Sequence, residues 1–140
     1  MDIWTILGRL GLAFLLGALV GVEREQEDKP AGFRTLILVT SGSALFVLVT
    51  QSLVEATTGA IDVGRIIAGV AQGIGFLGAG TIVITQRTVY GLTTAAAIWA
   101  MSAVGVACGY GMWEIGVVGT ALTFVTLRLL GPLAMRIGRR

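Results

Sequence analysis

Ile3-Trp4-Thr5-Ile6-Leu7-Gly8-Arg9-Leu10-Gly11-Leu12-Ala13-Phe14-Leu15-Leu16-Gly17-Ala18-Leu19-Val20-Gly21-Val22 carries one charge, Arg9. A helix rising about 1.5 Å per residue needs about 20 such residues to cross a ~30 Å hydrocarbon core. Four more apolar stretches follow, at residues 36–54, 66–84, 92–108 and 115–130. Only 13% of the 140 residues are charged, against about a quarter in a soluble domain. The mean hydropathy is +0.88. The chain therefore reads as an all-α polytopic membrane protein. Its five transmembrane helices, about 3–22, 36–54, 66–84, 92–108 and 115–130, form a single domain over residues 1–140. Met1-Asp2 supplies no basic lead, so the first stretch reads as a retained helix and not a signal peptide.

The lipid bilayer is the first partner this composition implies. Basic residues lie mostly in loops and at the C-terminal end, so the net charge of +2 does not point to nucleic acid. There is no histidine and one cysteine, Cys108. That removes the imidazole base and a thiolate metal cluster, and no enzyme is expected. With five crossings, Arg24, Lys29, Arg34, Arg87, Arg128, Arg136, Arg139 and Arg140 share one side, against Arg9 and Arg65 on the other. The positive-inside rule puts the N-terminus outside and the C-terminus in the cytoplasm. Trp4, Tyr110 and Trp113 fall at the outer boundary and Tyr90 at the inner one. Trp99 falls mid-helix and should pack against a neighbour.

Residues 23–33 form the one long polar connection, stopped by Pro30-Ala31-Gly32. Gly109-Tyr110-Gly111 is tight enough to make the last two helices a hairpin. Glycine pairs four apart, Gly17/Gly21, Gly69/Gly73 and Gly105/Gly109, allow close backbone approach in lipid. They serve either packing within the chain or a dimer seam. Gly73-Ile74-Gly75-Phe76-Leu77-Gly78 matches G-x-G-x-x-G, but lacks the strand and acid of a dinucleotide fold. With Gly80 these glycines read as a narrow, central helix, serving packing or a pathway. Leucine at Gly75 or Gly78 should then damage folding.

Three polar groupings remain. Arg9 either snorkels to the outer boundary or has a function. Glu23, Arg24 and Glu25 stand at the mouth of helix one, with Arg34 and Thr35 opening helix two across the loop. These form either an interfacial salt-bridge cluster or an ion or regulatory site. Glu23 and Glu25 would suffice as ligands for Mg²⁺, which takes one or two carboxylates plus waters. Gln72, Thr81, Thr93, Thr94 and Ser102 are polar groups at depth, either interhelical bonds or a pathway lining.

Together, Gly17–Glu25, Ala31-Gly32-Phe33-Arg34-Thr35, Gly73–Gly80 and Gly91-Leu92-Thr93-Thr94-Ala95-Ala96 resemble the MgtC/SapB family of bacterial inner-membrane proteins. The resemblance covers nearly the whole chain. It implies a five-helix domain with the C-terminus inside and a role in adaptation to low Mg²⁺, with survival inside host cells in pathogens. Either Mg²⁺ transport or sensing, or non-transporting regulation of another membrane protein through glycine-rich faces, fits it. The residues it marks are Glu23, Arg24, Glu25, Arg34, Thr35, Gly73, Gly75, Gly78, Gly80 and Thr93; Arg9 has basic counterparts. Many relatives carry a soluble domain after helix five, whereas this sequence stops at Arg140.

Overall fold

The computed structural model describes residues 1–56, 62–86 and 88–130. Arg87, Arg136, Arg139 and Arg140, counted above for orientation, lie outside the described residues, as do residues 57–61 of the connection from Glu55 to Gly64. The described chain forms helices α1 (Ile3–Gln26), α2 (Phe33–Ala56), α3 (Val63–Ala79), α4 (Leu92–Tyr110) and α5 (Trp113–Val125). A short hairpin, β1 (Val83–Ile84) and β2 (Val89–Tyr90), separates α3 from α4. Four spans are long and apolar enough to cross a membrane, α1, α2, α4 and α5 continued through Leu130; α3, at 17 residues, falls just short of that length.

Local chemistry sets the helix ends. Asp2 caps α1, accepting from the Thr5 backbone N–H at 3.3 Å and from its hydroxyl. The Thr5 hydroxyl holds the exposed Asp2 carboxyl below its ordinary range. At the other end Asp28 turns left-handed (φ 51) and the Lys29 N–H returns to the Arg24 carbonyl at 3.0 Å. That hydrogen bond closes the last turn before Pro30.

The third apolar stretch departs from the expected helix over 66–84. Asp62 caps α3 four residues earlier, accepting from the Arg65 N–H at 3.1 Å. The helix then stops at Ala79, where the Thr81 hydroxyl donates to the Gly78 carbonyl at 2.8 Å. Beyond it, Ile82-Val83-Ile84-Thr85 is β-branched throughout and favours extended backbone. It pairs antiparallel with β2, Val83 opposite Tyr90 and Ile84 opposite Val89. Hydropathy alone does not distinguish a strand from the end of a helix. Gly91, at φ +87, turns the hairpin into α4, and a Cβ there would collide with the Thr81 carbonyl.

The core sits among α1, α2 and α4, where Ala13, Leu16, Val20, Leu36, Ala44, Ile98 and Met101 are buried together. Glycines on two sides of α2 let the backbones meet. A Cβ at Gly17 would lie 2.9 Å from the Leu36 carbonyl oxygen, and one at Gly21 2.8 Å from the Phe33 Cα. From α4, Gly105 meets the Thr40 carbonyl and Gly109 lies against Val47 and Ala44. The hydroxyls of Ser43 and Ser102 join α2 to α4 at 2.9 Å. Such bonds are worth about 0.6 kcal/mol each in membranes.

The glycines of α3 do something else. A Cβ at Gly69, Gly73 or Gly75 would meet nothing within 4 Å, and Phe76 is 81% exposed. The expected central position of this segment is therefore corrected: α3 packs at the side of the bundle, chiefly on α4. Of its motif, Gly78 is buried against Ala95 (3.5 Å), an ordinary contact, while Gly80 faces only its own helix end. Gln72 is exposed. Trp99, expected to be packed, is 57% exposed beside α3.

Candidate functional site

Short connections bring the ends of α1 and α5 and the starts of α2 and α4 to one end of the bundle. There a cleft of about 910 Å³ opens between α1, the Lys29-Pro30 turn, the β2–α4 junction and the last turns after α5. Those turns, Thr126–Leu130, are π-helical, a geometry frequent where side chains must be re-aimed at functional sites.

Glu23 and Arg24 form the wall of the cleft, and each is only 4% exposed. Arg24 reaches across to α4, donating from Nη2 to the Thr94 hydroxyl at 3.0 Å. Its Nε has no partner, nor has Glu23 Oε2. A buried polar atom without a partner costs about 1–3 kcal/mol, and more when charged. Thr93, next to Thr94, is exposed on the cleft lining. On the rim, Arg128 donates to Glu27 Oε1 at 3.4 Å. Both are half-exposed, so this pair contributes about 0–1 kcal/mol.

The expected cluster is only partly assembled. Glu23 and Glu25 stand two residues apart on a helix, about 200° around its axis. Glu25 turns away from the cleft and caps α2, its Oε2 accepting from the Phe33 N–H at 2.9 Å. The two carboxylates therefore do not converge as Mg²⁺ ligands. Among the described residues no three His, Cys, Asp or Glu side chains come together. With Glu25 engaged and Glu27 paired, one buried carboxylate beside a guanidinium is left, which does not fit an inner-sphere Mg²⁺ site. Arg34 and Thr35 are exposed; Thr35 lines the apolar groove between α2 and α3, and Arg34 is not part of the cleft wall. The helical rotation after Phe33 carries both away from Glu23.

Arg9 lies at the opposite end. Its Nη1 donates to Gln51 Oε1 at 2.8 Å and to the Gly109 carbonyl at 2.7 Å. Gly111, at φ +79, admits the guanidinium, 2.9 Å from where its Cβ would stand. Arg9 thus ties α1 and α2 to the α4–α5 turn. Gln51 escaped the sequence reading, although a hairpin folded about residues 27–32 puts it level with Arg9. Arg9→Leu should lower stability by about 2 kcal/mol, the scale of a hydrogen bond to a charged group. Thermal unfolding in detergent measures this, and an unchanged midpoint would return Arg9 to a snorkelling role.

Apolar spans and a charged cleft at one end define a helical-bundle integral membrane protein. The profile of the MgtC family matches residues 10–136, and the chain belongs to that family. It is 46% identical over 129 residues to "Protein SrpB" of Synechococcus elongatus, covering 85% of this chain and 71% of that one. Over 133 residues it is 38% identical to "Putative magnesium transporter YhiD" of Escherichia coli, covering 92% of this chain and 62% of that one. "Protein MgtC" of Salmonella typhimurium is 41% identical over 127 residues, covering 91% of this chain and 53% of that one. The chain thus spans only part of each relative's length. No solved structure matches it.

Proposed function

We propose that the chain is the membrane domain of a Mg²⁺-homeostasis protein of the bacterial inner membrane, working as a non-conducting regulator. The Mg²⁺ link rests on the family and on the printed name of the Escherichia coli relative. The observation that carries the regulatory reading is the buried Glu23–Arg24 pair, whose unpartnered atoms belong to side chains lining one cleft. Intramembrane ionisable groups are costly and mark functional sites. Between this pair and Arg9, the buried face of α1 presents Ala13, Leu16 and Val20. That is a packed apolar wall and a poor lining for a hydrated cation.

In this reading α3 crosses with the other four helices, giving five spans with the cleft on the cytoplasmic side. The described charges support it: Arg24, Lys29, Arg34 and Arg128 lie at the cleft end, Arg9 and Arg65 at the other. A periplasmic reporter fused after Arg140 should stay silent and a cytoplasmic one should be active; the reverse would invert the assignment. The open Gly69–Gly73 face of α3, four residues apart on one side of the helix, is the surface through which a second copy or another membrane protein would dock.

The test is reconstitution with a Mg²⁺-sensitive dye. Purified chain in liposomes should give no flux above empty vesicles at either membrane polarity. Flux abolished by Glu23→Gln would replace the regulator with a transporter. Crosslinks from positions 69 and 73 in native membranes should trap a neighbouring chain, and their absence would remove the docking face.

A further inference from the structure

We propose that the cleft binds the head group of an aminophospholipid, with phosphate toward Arg24 and Lys29 and ammonium toward Glu23. The inference shares the cleft with the regulatory reading but not its Mg²⁺ link.

Charge decides the ligand class. Glu23 and Arg24 have opposite signs, are both 4% exposed, and both line the cleft. Each keeps one atom unpartnered within the chain, buried just beneath the cleft lining, which a head group meets once it enters between these side chains. Arg128 and Glu27 pair with each other and leave the exposed Lys29 as the remaining cation of the lining. A bare cation in the cleft would answer Glu23 and repel Arg24. A bare oxyanion would do the opposite. A molecule carrying a phosphate and a protonated amine a few ångströms apart answers both, with charge-assisted hydrogen bonds on each side. Basic pockets between transmembrane helices are known to suit phosphate head groups; here a buried carboxylate beside the guanidinium adds a demand for a donor.

Depth decides the source. Val83, Ile84, Val89 and Tyr90 of the hairpin are all exposed. Four exposed apolar side chains on two short strands belong at the membrane interface, where tyrosine is enriched. β2 runs directly into the cleft, whose lining continues with Leu92 and Leu127. The polar pair therefore faces head-group depth, and these apolar side chains provide a surface for the acyl chains.

Native mass spectrometry of the full chain in detergent, in EDTA, tests this with added phosphatidylethanolamine, phosphatidylcholine or phosphatidylglycerol. Phosphatidylcholine differs by methylation that removes every N–H donor, so the ligand itself acts as the variant. Phosphatidylethanolamine should be retained about ten-fold better than the other two, the scale of one charge-assisted hydrogen bond. Glu23→Gln should erase the preference over phosphatidylcholine. Lys29→Gln, at an exposed position, should weaken retention of all three. Equal retention by the unmodified chain would overturn the proposal whatever the variants do. Soluble glycerophosphoethanolamine competing as well as the lipid at equal concentration would overturn the membrane source. Because EDTA removes Mg²⁺, neither result depends on the flux assay.

Discussion

Gly105→Leu is expected to abolish the folded bundle, while Gly73→Leu leaves it standing. At Gly105 even a Cβ would fall on the Thr40 carbonyl oxygen and within 2.9 Å of the Ser43 Cβ. The obstacle is main chain in the middle of α2, which cannot rotate aside. α2 and α4 must therefore move apart, taking with them the Ser43–Ser102 bond and the contacts around buried Ala44 and Met101. Overpacking a core costs about 1–3 kcal/mol when side chains can adjust. With backbone as the obstacle the cost should be at the top of that range or above it. A Cβ at Gly73 would meet nothing within 4 Å, where the residue lines the open groove between α2 and α3, and leucine is a better helix former than glycine. Thermal unfolding and size-exclusion profiles in mild detergent separate the two outcomes. Equal damage at both positions would mean that the α3 face is buried within the folded chain.

That contrast also marks how far the sequence could be read. Span lengths, the charged loop and the tight Gly109–Gly111 turn follow from hydropathy and chemistry along the chain, and the structure places α1, α2, α4 and α5 near the expected stretches. Glycine spacing is a weaker guide. Gly17/Gly21, Gly69/Gly73 and Gly105/Gly109 look alike in sequence, yet the first and third pairs meet the backbone or side chains of α2 and the second meets nothing. A four-residue spacing specifies a smooth face without naming its neighbour. The hairpin was hidden for a different reason: Ile82-Val83-Ile84 is as apolar as the helix before it, and only the run of β-branching marks the change. At the cleft, Glu23 and Arg24 were visible as charges beside a membrane span. Their division of labour with Glu25 was not, because it depends on helical phase and on where the Phe33 N–H arrives after the turn. Thr94 stood out as a polar residue at depth, but its bond to Arg24 joins residues 70 positions apart.

The second large effect concerns that bond's owner. Arg24→Met should destabilise the protein by about 3 kcal/mol, because it removes the bond to Thr94 and takes a neighbouring opposite charge away from the buried Glu23, although the two side chains form no direct ion pair. Glu23, already with one unpartnered oxygen, would lose the buried guanidinium next to it, leaving only the exposed Lys29 and the Glu27-paired Arg128 as cations of the lining. Glu23→Gln should cost less, since an amide is neutral and Arg24 retains Thr94 as acceptor. The informative protein is the double variant Glu23→Gln/Arg24→Met. With neither charge buried, it should regain most of the stability lost by Arg24→Met, as replacing both members of buried ion pairs often does. If the pair existed to hold the bundle together, the restored fold would restore growth under Mg²⁺ limitation in a strain that depends on this protein. If the pair is the working part, the double variant will be stable, abundant in the membrane and inactive. We expect the latter. A double variant with wild-type growth would reduce Glu23 and Arg24 to scaffolding and remove the basis for assigning function to the cleft.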